Sequence, residues 1–153
     1  MKKAMKNYIA VCTTAIALVA APFAVQAQAK DTPVGLWKTI DDETKQAKSL
    51  VRITEKDGVL TGKIEKLLDP TKAESKCEKC SDDRKDKPIQ GMTILTGLKK
   101  GDGEWNDGQI LDPNNGKTYK AKATVRDAGK QLEVRGFVGI AALGRSQIWV
   151  REE

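Results

Sequence analysis

The sequence predicts an all-β domain, an antiparallel up-and-down barrel of eight strands. Three observations carry that expectation. Strand-like runs recur at intervals of roughly 8–12 residues. Clusters of Gly, Asp, Asn and Pro separate them, and no stretch after residue 27 has the periodicity of an amphipathic helix. Closure into a barrel also removes the edge strands through which an open sheet would pair with its neighbours.

Gly35–Ile40 is the first strand, and the charged stretch Asp41–Lys48 is a loop. Leu50–Thr54 alternates, with Val51 and Ile53 opposite Arg52, and the Lys56-Asp57-Gly58 turn leads into Val59–Leu68. There Leu60, Gly62 and Ile64 share a face. Residues 69–88, rich in Lys, Asp, Glu, Ser and Pro, form the longest irregular stretch. A compact domain rarely leaves that much chain loose, so the segment is either functional or pinned by its cysteines. Ile89–Leu98 follows, with Met92, Ile94 and Leu98 expected on one face. Glu104–Leu111 carries Trp105 and ends at the turn Asp112-Pro113-Asn114-Asn115-Gly116. Thr118–Arg126 alternates most cleanly: Tyr119, Ala121, Ala123 and Val125 oppose Lys120, Lys122, Thr124 and Arg126. Leu132–Ile140 and Arg145–Arg151 complete the set. Alternation fails from Val138 to Leu143, where a short helical turn is the competing reading.

Ahead of the barrel, residues 1–27 have the form of a cleaved secretory signal peptide. Lys2, Lys3 and Lys6 precede an apolar run from Tyr8 to Val25, broken only by Thr13 and Thr14. Small residues in Val25-Gln26-Ala27 or Ala27-Gln28-Ala29 supply the processing site. The expected mature protein, residues 28–153, is one β-barrel domain without a membrane span, periplasmic or secreted. The signal removes three of the 27 basic residues and no acidic one, leaving 24 against 21, a net charge of +3. So small an excess gives no reason to expect nucleic acid as a partner.

The chain contains no histidine. That excludes His-dependent triads, His general bases and the common zinc sites with His ligands. No nucleophile–base pair can be assembled from the spacing of the remaining residues, so no catalytic residue, metal site or cofactor is expected. Asp107 and Asp112 flank a hairpin beside Gly108 and Pro113, where turn duty is the commoner role of such carboxylates.

Gly35-Leu36-Trp37 at the head of the first strand resembles the Gly-x-Trp signature of lipocalins and the wider calycin superfamily. The resemblance implies that Trp37 closes one end of the barrel and that a basic residue of the last strand packs across its indole. Arg151 is the first match and Arg145 the second. A more extended resemblance runs over residues 33–152. It includes Gly35-Leu36-Trp37-Lys38-Thr39, Cys77-x-x-Cys80, Pro88-Ile89-x-Gly91 and Gly108-x-Ile110-Leu111-Asp112-Pro113. Asn115-Gly116-Lys117-Thr118-Tyr119, Val134-Arg135-Gly136 and Gly144-Arg145-Ser146-Gln147-x-Trp149 continue it. On these motifs the chain is identified as a member of the bacterial exported family called domain of unknown function 2147. That membership implies a calycin-like barrel outside the cytoplasm and brings no activity with it.

Cys77 and Cys80 are the sharpest local chemical signal. An oxidising compartment favours a disulfide that staples the long loop. Thiol–disulfide exchange is the alternative, with Lys76 and Lys79 lowering a thiol pKa, but the pair does not open a helix after a strand. A metal site would need a second pair of ligands.

The functional expectation is a non-enzymatic binder of a small apolar or amphipathic ligand in the barrel mouth. Tyr119, Ala121, Ala123 and Gly136 are the candidate lining, because small side chains leave room inside. The competing expectation is an envelope structural or protein-interaction module with a filled barrel, acting through the 69–88 loop.

Overall fold

Strand alternation decides which way each side chain faces, and here eight strands turn their apolar sides toward one common interior. A computed structural model describes residues 31–153, so the expected export segment lies outside the described residues. The strands are β1 (Gly35–Ile40), β2 (Ala47–Lys56), β3 (Val59–Leu67) and β4 (Thr93–Lys100). They continue as β5 (Trp105–Asp112), β6 (Lys117–Arg126), β7 (Gln131–Phe137) and β8 (Arg145–Arg151). Each pairs antiparallel with the next, and β8 returns to β1, so the sheet closes into an up-and-down barrel. Single turns of 3-10 helix stand at Pro70–Lys72, Asp127–Gly129 and Ala141–Leu143.

The β6–β7 register shows the alternation at work. Ala121 faces Gly136, Ala123 faces Val134 and Val125 faces Leu132, while Lys122 and Thr124 pair with Arg135 and Glu133 on the wet side. Inside, Trp37, Val51, Ile53, Leu95, Leu98 and Leu132 leave no surface for a water-sized sphere to touch. Interior glycines make this closeness possible. A Cβ on Gly108 would stand 2.6 Å from the Leu98 side chain, and one on Gly62 would stand 3.0 Å from Leu95. The room left by these small residues is occupied by neighbouring leucines.

One expected face proves wrong. Leu95 and Leu98, three residues apart, both point inward, whereas Ile94 and Met92 do not share their face. The strand also begins at Thr93, not Ile89. Leu95 is paired with the inward Gly62 and with Ile110, so its neighbour Ile94 must project from the opposite side. The phase then shifts at Gly97, whose φ of +76° lies opposite Asp107 at φ +62°. Such bulges bend strands toward closure, and they shift the inward positions beyond them. At the other uncertain stretch, β7 ends at Phe137 and the helical turn covers Ala141–Leu143.

The lower end, which carries residues 31–34 and 151–153, is sealed. Trp37 is fully buried, and its Nε1–H donates to the Pro33 carbonyl at 2.7 Å. Directly across the β1–β8 seam, the Arg151 guanidinium carbon lies 4.1 Å from the centroid of the Trp37 ring. The same guanidinium donates to the carbonyls of Val34 (2.9 Å) and Thr32 (2.6 Å), and to that of Gly129. A cation–π contact of this type contributes about 0.5–2 kcal/mol. The carbonyls supply what the half-buried cation loses in hydration. Arg145 lies at the opposite end of β8, where it reaches Asp42 (2.5 Å), so the two arginines have separate roles.

Trp37→Ala is expected to cost about 3–5 kcal/mol, as truncation of a buried aromatic does, because it opens a cavity under the Arg151 cation. Chemical denaturation of the variant checks this. An unchanged unfolding midpoint would mean that the sealed end is not what holds the barrel closed.

Candidate functional site

The upper end is built from the last inward layer of each strand together with four connections. Its floor is closed. Ala121 and Ala123 are 2 % and 1 % exposed, and Val134, Leu60 and Trp149 are equally covered. One layer up, Ile110, Tyr119, Gly136 and Gln147 are only half-buried. Gly136 adjoins the Ile110 methyl and the Tyr119 Cβ: a Cβ placed there would lie 3.4 and 3.7 Å from them. The Tyr119 hydroxyl accepts from Asn115 Nδ2 at 3.1 Å, and Gln147 Oε1 accepts from the Trp149 indole at 3.2 Å. On the other wall, Thr39 Oγ1 and Ser49 Oγ lie 2.8 Å apart, both buried. The interior therefore changes character along its axis, from wholly apolar and filled to a mixed, half-open rim. Every buried side-chain polar atom among the described residues has a partner.

Of the expected lining residues, Tyr119 and Gly136 stand at this rim. Ala121 lies beneath them and Ala123 a layer deeper, against Val134 and Trp105. Thr39, Ser49, Ile110 and Gln147 were not among the expected residues. The alternation of β1 and β8 around Trp37 and Trp149 is the signal that points to Thr39 and Gln147.

The long irregular stretch has a seat of its own. Cys77 and Cys80 form a disulfide with Cα atoms 5.4 Å apart. Both are buried, which leaves no exposed sulfur for exchange. Backbone bonds fold the segment onto itself: Cys77 N–H to Lys87 O, Asp86 N–H to Cys77 O and Ile89 N–H to Ser75 O. The folded segment lies against the outer wall of the barrel near the rim, with Cys77 Sγ 3.5 Å from the Pro113 carbonyl oxygen. Arg84 reaches Thr118, which faces outward beside Leu111. Ile94 and Leu111 are the sequence neighbours of the inward pair Leu95 and Ile110. They are buried although they project outward, and the disulfide segment is what covers them. The sequence signal was present as two adjacent apolar pairs, Ile94-Leu95 and Ile110-Leu111, since a strand covered on both faces loses its alternation.

Gly116 locks this seat. At φ +72° it holds a conformation that favours glycine, and a Cβ there would stand 1.9 Å from the Lys79 carbonyl oxygen. Asp112 shapes the same turn by accepting from the Asn114 backbone N–H at 2.9 Å. Asp107 sits in the β5 bulge, so both aspartates serve backbone geometry.

Carboxylates around the upper end are held below their usual range. Arg84 bonds Asp82 through its side chain and its backbone N–H, and this lowers the Asp82 pKa to about 2. The Thr44 backbone N–H, then Lys48, depresses Asp41 in the loop between β1 and β2. Bonds from Arg126 and Ser146 lower Glu133 on the outer wall. Among the described residues no group of three or more His, Cys, Asp or Glu side chains could hold a metal ion, and no helix is long and apolar enough to cross a membrane.

A closed eight-stranded antiparallel barrel, sealed at one end by a Trp–Arg pair and half-open at the other, is the architecture of the lipocalin-like proteins. A solved structure of similar shape belongs to that class. The lipocalin-family protein HP1028 from Helicobacter pylori superposes with a TM-score of 0.68 at 21 % identity, over 78 % of this chain and 82 % of that one. Residues 35–151 match the model of a family described as uncharacterized proteins conserved in bacteria, domain of unknown function 2147, and the chain belongs to that family. No curated protein matches the chain in sequence.

Two expected outcomes test the outer-wall seat. Gly116→Ala should undock the disulfide segment at a cost on the order of 1–3 kcal/mol, with trypsin then cutting at Arg84 or Lys85 while the barrel stays folded. Cleavage no faster than in the parent would remove Gly116 from this role. Acid should act on the same seat. Asp82 stays ionised in the folded chain down to about 2, against its ordinary 3.8. The stability it contributes is thus complete above the ordinary value and fades as pH falls toward the lower one. Asp82→Asn should flatten that part of the decline in thermal midpoint, and an unaltered acid profile would count against the Asp82–Arg84 contact.

Proposed function

We propose that the protein is an exported, non-enzymatic binding module that holds a small apolar or amphipathic ligand at the rim of its barrel. One observation carries this reading: the interior passes from a filled apolar floor at Ala121 to a half-open layer of mixed chemistry. Ile110 and Gly136 offer apolar contact there, while Tyr119 and Gln147 offer hydrogen-bonding groups. That combination suits a molecule with an apolar body and a polar end. The ligand rests on the floor and does not pass Ala121, because Ala123, Val134 and Trp149 occupy the space below. The disulfide supports an oxidising compartment outside the cytoplasm, reached through the signal at residues 1–27.

The filled lower interior favours a second reading. In that reading the barrel is a rigid scaffold, and the charged 69–88 segment, docked on the outer wall, engages a protein of the envelope.

Native mass spectrometry of protein recovered from the periplasm separates the two. The first reading expects an adduct of small-molecule mass, and Gly136→Leu, which fills the rim, should reduce its occupancy by about tenfold, the effect of roughly 1.4 kcal/mol. Adduct-free parent protein would overturn the ligand and transfer the assignment to the 69–88 segment.

A further inference from the structure

The exposed large apolar side chains are gathered on one flank of the barrel. Val138, Ile140 and Leu143, on the connection between β7 and β8, are 74, 62 and 81 % exposed, and Ile148 and Val150 lie on the outside of β8 at 41 and 38 %. Residues 137–144 read Phe-Val-Gly-Ile-Ala-Ala-Leu-Gly, without one charged or polar side chain, in a chain that is 31 % charged. An uninterrupted apolar run with three exposed large side chains on so polar a surface marks a place of contact.

We infer that this connection is a membrane-docking loop, which sets Val138, Ile140 and Leu143 into the headgroup–acyl boundary of a bilayer containing anionic lipid. The backbone is prepared for it. Arg135 donates from Nε to the Ala141 carbonyl at 2.6 Å and from Nη2 to the Ala142 carbonyl at 3.0 Å. Leu143 N–H and Gly144 N–H close the helical turn onto Ile140 and Ala141. Backbone groups entering an apolar phase must bring their partners with them, and Arg135 and the helical turn bring them for the carbonyls of Ile140, Ala141 and Ala142. Charge is complementary as well. The loop rises between two basic stems, Arg135 and Arg145, and no acidic residue lies between Val134 and Val150. Lys120 stands directly across from Phe137, exposed and without an ion pair among the described residues. Arg145 meets Asp42 and Glu43 yet keeps 66 % of its side chain exposed. Cations at the level of the headgroups with apolar side chains beyond them is the arrangement of an interfacial anchor. The three apolar side chains carry no hydrogen-bonding group that would specify a protein partner.

The inference is independent of the ligand seat, because the three side chains do not belong to the rim layer. Its test is co-sedimentation of the protein, as recovered from cells, with mixed phosphatidylethanolamine–phosphatidylglycerol vesicles. The parent should sediment with them. The triple variant Val138→Ser, Ile140→Ser, Leu143→Ser should bind about tenfold more weakly or worse, with its thermal midpoint unchanged, since all three side chains are exposed. Lys120→Glu should weaken binding to these vesicles and leave binding to neutral ones unaltered. Equal binding by parent and triple variant, or no binding by the parent, would overturn the docking loop. So would a parent dimer in sedimentation velocity that the triple variant dissolves, which would assign the patch to a second copy of the chain.

Discussion

Closure of the sheet depends on its narrowest seam. β1 meets β8 through three register pairs, Trp37 with Arg151, Lys38 with Val150 and Thr39 with Trp149, where β6 and β7 share seven. So few backbone bonds would hold poorly alone, and it is here that two fully covered tryptophans and the half-buried arginine collect. The indole of Trp37 supplies apolar area and a cation-binding face, and its N–H ties the incoming chain at Pro33. Arg151 in turn holds the carbonyls of Thr32, Val34 and Gly129, so two separate backbone segments meet at one guanidinium. Without the seam, β1 and β8 would be free edges, each offering unpaired N–H and C=O groups to other chains.

The barrel also carries a second apolar layer on its outside. Ile94 and Leu111 face away from the interior and would be exposed on a bare barrel, yet both are buried. The covering segment is too polar to fold by collapse alone. It holds its shape through a three-residue disulfide step and a backbone lattice, and it is keyed into place by the space at Gly116. An oxidising environment and the conformation of this segment are therefore linked.

A filled interior changes what a barrel of this class can do. Small residues such as Gly62 and Gly108 do not line an empty chamber; Leu95 and Leu98 occupy the room they leave. The half-buried inward layer is confined to the upper rim, around Tyr119 and Gly136. The surface has correspondingly more to offer: a charged segment locked to one wall and an apolar loop raised from another. Rigid barrels suit that use, because a projecting loop on a fixed scaffold keeps its geometry while it contacts a partner.

The number of strands, the faces of β2, β3 and β6 and the turns at 56–58 and 112–116 were legible in the sequence by itself, because period-two alternation and turn chemistry are local properties. The family motifs pointed to Trp37 and Arg151 as partners and to a lipocalin-like barrel for the same reason, since fixed residue types recur in a fixed order. Tertiary structure alone decided three matters. It chose Arg151 over Arg145, a choice that depends on which end of β8 lies beside the start of β1. It turned Ile94 outward and Leu98 inward, because the bulge at Gly97 shifts the strand phase by one residue. It also filled the space beside the interior glycines, for an absent side chain reads the same in sequence whether a ligand or a leucine from another strand takes its place.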